Sequence, residues 1–545
     1  MVGGFALARI LWWLALLTIV GGVARIAATY PVLSATFDEP AHIAAGMQLL
    51  DRGDFTYEPL HPPLARVAAA LGPWFAGYRA QNSGDLWIEG QRMFYGRDGR
   101  PDTGVVTLAR FGILPFFVAA VGLVWLWTEY TFGAVEGALA AIALGNLPVM
   151  LAHAGLATTD AAFAMTFVAA FFAFLWWLER RSLPRGLALG AAVGLALCTK
   201  LLALLFLPAA CGAVLVHRWF CDGRDWPVRA LLLSGHRLVP PLAACLLTVW
   251  VVFGCRADPL YGVLSLADGV RQLLAFAGIG EPSYFLGEIA VHGSWAFFPV
   301  LILVKSPLPF LIAVAIGAAV LLRRDRRDWR RMAPLIGALA IIASVMPSPI
   351  NIGLRHVLPA LPLLAIVAAV GLGRLLEVPV AAHRAALAWV LVAWQTGEAA
   401  AAAPDYLPYF NQLALGQPQR IVTGSDLDWG QDVRRLAETL QQRRVEGLHL
   451  ALHTSNDAQV YGVPPFEILY PGQPAVGWIA ISEQMRAYYC AGYRWLDAYR
   501  PAAQVGASIR LYHVPGPPAE PSRPAAAQRF DWRVPQPCAT ASPGR

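Results

Sequence analysis

Residues 5–27 read FALARILWWLALLTIVGGVARIA, an apolar run long enough to cross the roughly 30 Å hydrocarbon core of a bilayer as one helix. Similar runs recur, and the sequence predicts about eleven membrane spans. They lie near residues 5–27, 106–127, 134–153, 161–178, 186–199, 201–217, 238–255, 296–322, 333–347, 357–376 and 385–403. The fifth and sixth spans are short and meet at Lys200, which predicts a helical hairpin whose tip stops at one face of the membrane.

The composition agrees with a polytopic membrane protein. Of 545 residues, 57% are hydrophobic and 14% are charged, and the mean hydropathy is +0.51. Soluble globular proteins carry about 25% charged residues. An ordinary soluble enzyme, a disordered chain and a nucleic-acid-binding domain are therefore excluded, and no nucleic acid partner is expected. Seven cysteines are too few for a disulfide scaffold, although Cys490 and Cys538 could pair outside the cell.

The arginines of the short loops predict the orientation, because cytoplasmic loops are enriched in positive charge. The loops that alternate to one side carry Arg9, Arg180, Arg181, Arg185, Arg218, Arg224, Arg229, Arg237, Arg323, Arg324, Arg326, Arg327, Arg330, Arg331, Arg374 and Arg384. The N-terminus is then cytoplasmic. The first span is longer than a typical cleaved signal and is read as a retained anchor. We expect a multi-pass protein of the bacterial inner membrane.

Three polar segments lie on the opposite, external side of this topology. They are the loop 28–105, a smaller loop 257–295 and everything after residue 403. Residues 404–514 predict a small periplasmic α/β domain, with strands near 447–453, 476–482 and 504–513 and a helix near 430–443 after Asp428. Residues 515–545 are rich in Pro and Ala and are expected to be disordered.

The first external loop opens with Phe37-Asp38-Glu39-Pro40-Ala41-His42. Ionisable groups at a membrane boundary are costly unless they are hydrated or functional. Asp38 is also a plausible N-cap of a helix across 40–50, with Glu39 complementing its dipole. Capping and catalysis are compatible, so both interpretations stay open for Asp38.

A second group of polar residues follows in the same loop. Gly53-Asp54 precedes Glu58, and then comes His61-Pro62-Pro63-Leu64-Ala65-Arg66. The two prolines restrict the backbone before an amphipathic segment that could lie along the membrane interface. A Pro-rich entry to an ordinary helix is the simpler alternative.

Together these residues resemble the first external loop of the C-type (GT-C) membrane glycosyltransferases, which use a phospholipid-carried sugar. The protein O-mannosyltransferase and lipid A aminoarabinose transferase families are the most similar. Further matches follow in order: Thr158-Thr159-Asp160, the glycine-rich GAAVGLALCTK of residues 190–200, Lys305-Ser306-Pro307, and Gly353-Leu354-Arg355-His356 before Pro359. The resemblance covers roughly residues 1–400 and implies a GT-C-like catalytic domain over residues 1–403.

The resemblance implies an inverting glycosyltransferase that moves a sugar from a polyprenyl-phosphate donor to a hydroxyl of a protein, lipid or glycan. Asp38 would act as the base, with Glu39 as a second catalytic carboxylate. Lys200, Arg355 and Lys305 would bind the donor phosphate, and His42, His61, Arg66 and Asp160 would support the acceptor or the site. Membrane lipids and a protein or glycolipid acceptor are the implied partners.

The predicted topology supports this interpretation independently. Lys200 and Lys305 are the two lysines among 42 basic residues, and both fall in the external layer with Asp38, Asp160 and Arg355. A compact ammonium differs from a guanidinium in the ligands that it suits. The shared side therefore favours a functional role for both lysines.

Metal dependence stays open, because His42, Glu58, His61 and His292 lack a tight ligand spacing. We expect no obligatory cofactor, with a divalent ion as the alternative. Asp426-Leu427-Asp428 matches the Asp-x-Asp pattern of nucleotide-sugar enzymes, but a turn and helix cap is the favoured interpretation.

Two other classes of function compete with the enzyme. A transporter would place ligands near the membrane midplane and show internal repeats, which the sequence does not display. An assembly protein for envelope glycolipids would depend on its external C-terminal segment. Mutation of Asp38 and deletion of residues 430–545 would separate these alternatives.

Overall fold

A computed structural model describes residues 2–96, 98–222, 235–377, 381–516 and 535. The predicted tail 515–545 and Cys538 lie almost entirely outside these residues, as do Arg224 and Arg229. The described chain is a mostly helical bundle with a small sheet near its C-terminal end. The predicted all-α polytopic membrane protein with an added α/β region is confirmed at this level.

The helices of the bundle are mostly apolar and range from 7 to 29 residues in length. They are α1 (Val2–Ala27), α5 (Gly104–Phe132), α6 (Ala134–Gly145), α7 (Pro148–Ala154), α8 (Asp160–Glu179), α9 (Leu183–Leu197), α10 (Ala203–Asp222), α11 (Val239–Val252), α12 (Tyr261–Ile279), α13 (Phe297–Lys305), α14 (Leu308–Val320), α15 (Trp329–Val345), α16 (Ala360–Leu375) and α17 (Ala382–Ala401). Among the described residues, 6 helices could cross a membrane, or up to 8 if each bent pair is one span. The number eleven stays a prediction.

The surface of the bundle fits a lipid environment. Large apolar side chains such as Trp13, Leu126 and Leu246 are exposed at 52%, 65% and 47%. In water such a surface would be unfavourable, whereas lipid tails solvate it without a penalty. The chain is therefore a multi-pass membrane protein.

Two stretches differ from the sequence prediction. The predicted span 296–322 is broken, because α13 and the helical segment Leu308–Asp325 meet at 114°. Pro307 has no backbone N–H and disfavours a helical residue before it, which ends α13 at Lys305. The predicted loop 257–295 contains the apolar helix α12. In the sequence, Asp268 and Arg271 interrupt the run of apolar residues that would otherwise predict this helix.

The loop between α1 and α5 forms three helices at one end of the bundle. These are α2 (Glu39–Arg52), α3 (Pro63–Phe75) and α4 (Leu86–Arg92). The backbones of α2 and α3 approach so closely that a Cβ at Gly46 would lie 2.0 Å from the Arg66 carbonyl oxygen. The loop is thus a packed part of the bundle.

The arginines of the predicted cytoplasmic loops meet at one end of the bundle. Glu179 at the end of α8 binds Arg330 at 2.9 Å and Arg185 at 3.3 Å. Glu377 after α16 likewise binds Arg324 at 3.2 Å and also Arg374. Loops far apart in sequence therefore share one face, as the charge pattern predicts.

The C-terminal region holds a five-stranded mixed sheet of order β4-β3-β5-β7-β6. A separate hairpin, β1 (Ser283–Phe285) with β2 (Glu288–Ala290), lies between α12 and α13. The sheet consists of β3 (Leu448–Ala451), β4 (Phe466–Ile468), β5 (Gly477–Ser482), β6 (Ala503–Val505) and β7 (Ile509–Val514), with the helices α18 (Val433–Gln442), α19 (Glu483–Tyr488) and α20 (Cys490–Tyr493). Strand β3 runs parallel to β4 and β5, and β7 is antiparallel to β5 and β6.

Two details of this region correct the sequence prediction. The strand expected over 504–513 is a hairpin of β6 and β7 that turns at Gly506, whose φ is +54°. A Cβ at Gly506 would lie 2.2 Å from the Asp432 carboxylate, so only glycine fits there. The helix expected after Asp428 begins at Val433, with Asp432 at the N-cap position but without a capping hydrogen bond from its side chain.

Candidate active site

Asp38 lies at the start of α2, where the sequence permits either a cap or a catalytic group. Its side chain makes no capping hydrogen bond. Instead, Oδ2 of Asp38 accepts a hydrogen bond from Nη1 of Arg355 at 2.6 Å. The side chain is 22% exposed, and it lines a cavity of about 660 Å³. The Asp38 carboxylate is therefore directed into a site and does not cap its own helix.

Arg355 occupies a short helical turn before α16. Its guanidinium lies 4.3 Å from the centre of the Trp429 ring, and its side chain is 12% exposed. Trp429 is in turn fixed to the loop between α1 and α5, because the Phe37 N–H donates to its carbonyl at 2.8 Å. Arg355 is thus held between the transmembrane bundle and the C-terminal region.

The charges around Asp38 determine its protonation. Burial would raise the pKa of Asp38, but Arg355, His42 and His61 outweigh it and lower this pKa below its ordinary value. Burial alone would lower the pKa of Arg355, but Asp38 and Asp160 raise it. Asp38 is therefore a carboxylate and Arg355 a cation at neutral pH.

Lys200 and Asp160 form a second ion pair beside the first. Nζ of Lys200 donates to Oδ1 of Asp160 at 2.6 Å, and both side chains are buried. Lys200 sits at the junction of α9 and α10, as predicted for the hairpin tip. Arg355 and His356 are both within electrostatic range of Asp160, so the two ion pairs belong to one cluster.

A network of His42, Arg66, Glu58 and His61 forms one side of the cluster. Nδ1 of His42 accepts from Nε of Arg66 at 3.1 Å, which places the proton of a neutral His42 on Nε2. Arg66 also donates to the carboxylate and the carbonyl of Glu58, and Nδ1 of His61 lies 2.9 Å from Oε1 of Glu58. Burial lowers the pKa of His42 well below its ordinary value, and Arg66 and His61 lower it further.

Glu39 lies apart from this cluster, contrary to the expectation of a second catalytic carboxylate. It is 0% exposed and accepts five hydrogen bonds, from Arg110 twice, Thr36 twice and the Ala157 N–H. All of its acceptor capacity is used inside the protein. The placement gives Glu39 a structural role that joins the first loop to α5 and to the turn before α8.

Lys305 also differs from the expectation that it binds the donor phosphate. Its ammonium donates to the carbonyls of Leu407 and Asp426, each at 2.6 Å, and lies 3.8 Å from the Asp426 carboxylate. The side chain is 2% exposed. Lys305 therefore joins the break between α13 and α14 to the C-terminal region, and its ammonium is engaged by groups of the protein itself.

Asp426 and Asp428 accept hydrogen bonds from backbone N–H groups of distant segments, and neither caps the helix that was expected directly after the motif. Asp426 accepts from the Leu354 N–H and so supports the turn that carries Arg355. Asp428 accepts from the Gln484 N–H at 2.7 Å, in the first turn of α19. Burial raises the pKa of Asp428 to about 7, despite its hydrogen bonds with Ser482 and Gln484.

The cavity in front of Asp38 has walls that the sequence analysis did not identify. It is enclosed by the turn before β1, the segments 351–355 and 422–429, and the C-terminal sheet. Phe37 stacks on His453 at 4.8 Å with an interplanar angle of 11°, and the Phe37 carbonyl accepts from Oγ of Ser455 at 2.5 Å. No motif marks His453, since its role depends on where β3 ends relative to the first loop.

A metal ligand set is not evident in the part of the chain that the structure describes. It contains no group of three His, Cys, Asp or Glu side chains placed to hold an ion. The His42, Glu58 and His61 side chains are engaged with Arg66 and with one another. The question of a divalent ion stays open.

Comparison with known proteins relates this geometry to a family. Residues 107–242 match the sequence model of the family described as dolichyl-phosphate-mannose-protein mannosyltransferase. The chain also resembles the crystal structure of ArnT from Cupriavidus metallidurans bound to undecaprenyl phosphate, with a TM-score of 0.50 at 16% identity over 92% of this chain and 98% of that chain. The resemblance to C-type glycosyltransferases is confirmed.

Other similar structures are apo ArnT from the same organism and the apo oligosaccharyltransferase of Archaeoglobus fulgidus. The first has 17% identity, a TM-score of 0.49 and covers 92% of this chain and 97% of that one. The second has 13% identity, a TM-score of 0.47 and covers 88% of this chain and 70% of that one. No curated protein sequence matches. The matched segment 107–242 includes Asp160 and Lys200, whereas Asp38 and Arg355 lie outside it.

Proposed function

We propose that the chain transfers a sugar from a polyprenyl-phosphate donor to an acceptor hydroxyl at the external face of the membrane, with inversion at the anomeric carbon. The observation that carries this proposal is the Asp38–Arg355 pair at 2.6 Å on the wall of a 660 Å³ cavity, next to the Lys200–Asp160 pair. A carboxylate suited to act as a base and a guanidinium suited to a departing phosphate thus line one cavity, and Lys200 belongs to the same cluster of charges through Asp160.

Asp38 is the base in this mechanism. Its carboxylate takes the proton of the acceptor hydroxyl as the oxygen forms a bond to the anomeric carbon. The bond from that carbon to the phosphate oxygen breaks, and the electron pair leaves with the polyprenyl phosphate. General base catalysis contributes on the order of 10²–10⁴ in rate.

Arg355 and Lys200 are the cations that stabilise the leaving phosphate. Fixed charges in a site with little water lower a barrier more than they would in bulk solvent. Asp160 holds Lys200 in place through the 2.6 Å hydrogen bond. His42, His61 and Arg66 position α2 and its Asp38 through their network with Glu58.

We further propose that residues 1–403 form the catalytic domain and residues 404–514 a periplasmic domain. Arginines cluster around Glu179 and Glu377 at one end of the bundle. This positive charge supports a cytoplasmic location for that end of the bundle and for the N-terminus. The donor phosphate then sits at the opposite face, and the protein belongs in a bacterial inner membrane.

The Asp38→Asn variant tests the proposal. Asn keeps the shape of the side chain but cannot accept a proton as a base, so sugar transfer by membranes that contain the variant should fall at least 10²-fold. Asp268→Asn, on the exposed face of α12, is the matched control and should retain activity. Full activity of Asp38→Asn would refute the assignment of the base.

A further inference from the structure

We propose that the cavity in front of Asp38 is a carbohydrate-binding site, so that the acceptor hydroxyl belongs to a neutral sugar of a glycan or glycolipid. The inference deepens the proposed function and rests on it. It depends on the walls of the cavity, which the C-terminal region supplies.

Aromatic side chains form part of the cavity wall. Rings of Phe37, Tyr284, Phe297, Trp429, Tyr470, Tyr488 and Tyr489 line it. Several of these rings are held in place, since Phe37 stacks on His453 and the Tyr488 hydroxyl donates to the Pro282 carbonyl at 2.8 Å. A pyranose has a flat face of C–H groups, which packs on a fixed ring at little entropic cost.

Two neutral side-chain oxygens in residues of the cavity wall lack hydrogen-bond partners. Oγ1 of Thr423 and Oε1 of Gln484 are buried and make no hydrogen bond, in residues that line the cavity and are 3% and 8% exposed. An unpaired buried polar group destabilises the free protein, so a ligand that pairs with it gains affinity. The Gln484 backbone is fixed by Asp428, so its side chain is held at the wall. Sugar hydroxyls, which donate and accept, would satisfy both atoms.

The charge of the cavity favours a neutral ligand. Its charged lining residues are Asp38, Arg355 and Glu281, and the first two neutralise each other. Burial raises the pKa of Glu281 above its ordinary value. An anionic acceptor would compete with the donor phosphate for Arg355, which is the cation of this lining.

A peptide acceptor fits the cavity less well. Extended peptides bind by adding a strand to an exposed sheet edge, which gives their backbone groups partners. The edge strand β4 has three residues, and within it Ile468 alone lines the cavity. The volume of 660 Å³ lies within the roughly 300–1,000 Å³ of small-molecule sites.

The test is a deletion strain that expresses the intact protein, Gln484→Met, Asp38→Asn or Gln441→Met. Gln441 lies at the exposed end of α18 and provides the same substitution away from the cavity. Protein, glycan and glycolipid fractions are separated, and the attached sugars are measured by mass spectrometry. We expect a sugar to be missing from the glycan or glycolipid fraction of the deletion strain. The intact protein and Gln441→Met should restore it, and Gln484→Met should restore a tenth or less.

The other outcomes separate this inference from the proposed function. A missing sugar on serine or threonine of proteins would overturn the carbohydrate acceptor and leave the transferase intact. Full restoration by Gln484→Met would overturn the role of the cavity wall. No change in any fraction would overturn both. If Gln484→Met fails to accumulate in the membrane, Thr423→Val replaces it, with the same expected loss.

Discussion

The guanidinium of Arg355 donates a 2.6 Å hydrogen bond to the carboxylate of Asp38 across 317 residues of sequence. One partner lies in the loop between α1 and α5, and the other precedes the tenth predicted span. Because this pair lines the cavity, the proposed mechanism makes its charges control both the protonation of Asp38 and the environment of the departing phosphate.

Replacing Arg355 by Gln should move the acid limb of the activity profile to higher pH. Burial raises the pKa of Asp38, and Arg355 is the largest opposing influence. Without Arg355 the carboxylate becomes protonated at a higher pH and loses its function as a base. Sugar transfer measured between pH 4 and pH 8 tests this, with the exposed Arg271→Gln as control. An unshifted acid limb would argue against Asp38 as the titrating group.

Lys200→Gln should lower kcat/KM for the lipid-linked donor by about 10–100-fold, because hydrogen bonds to charged groups contribute about 1.5–3 kcal/mol. The single variant leaves the Asp160 carboxylate buried without its cation. The double variant Asp160→Asn with Lys200→Gln removes that uncompensated charge. Thermal stability should recover in the double variant while donor turnover does not. Recovery of both would assign Lys200 a structural role.

Glu39→Gln should prevent accumulation of folded protein. The change leaves the fully buried Arg110 guanidinium without a counter-charge, and breaking such a pair costs about 3–5 kcal/mol. The yield of monodisperse protein after detergent extraction is the measurement. Glu438→Gln, on the exposed face of α18, is the matched control. A stable but inactive Glu39→Gln protein would instead favour the catalytic role that the sequence suggested.

Asp428→Asn should make the stability of the C-terminal region less dependent on pH. The pKa of Asp428 is about 7 in the folded protein and near 3.8 when unfolded, so the folded state holds an extra proton between these values. Its stabilising contribution is complete below about pH 3.8 and is lost as the pH rises through about 7. Asn mimics the protonated form at every pH. The Tm difference between variant and intact protein should therefore be more positive at pH 8 than at pH 5, and an equal difference would contradict the assignment.

Much of the site could be predicted from sequence because its residues stand at the ends of recognisable apolar spans. Asp38, Asp160, Lys200 and Arg355 each follow or precede such a span, and topology alone assigns them to one side. Glu39 and Lys305 share that sidedness, yet they point into the protein. Topology assigns the side of the membrane on which a residue lies. The partners of its side chain depend instead on how neighbouring helices pack.

The C-terminal region shows most clearly which features cannot be predicted from the sequence. Alternating apolar residues predict its strands, and the sheet contains them, although Gly506 divides one into a hairpin. Its contribution to the cavity rests on contacts between Phe37 and His453 and between Phe37 and Trp429. Such contacts join segments about 400 residues apart, and no local pattern encodes them.

The sequence by itself determined that this chain spans a membrane, which end carries the arginines and which end carries the reactive residues, because hydropathy and charge are properties of segments. Tertiary structure decided which carboxylate faces the cavity, which lysine meets the second carboxylate, and that the C-terminal sheet closes the site. These follow from side-chain direction and packing between distant segments, because a step of one residue along a helix, about 100° of rotation, separates the cavity-facing Asp38 from the buried Glu39.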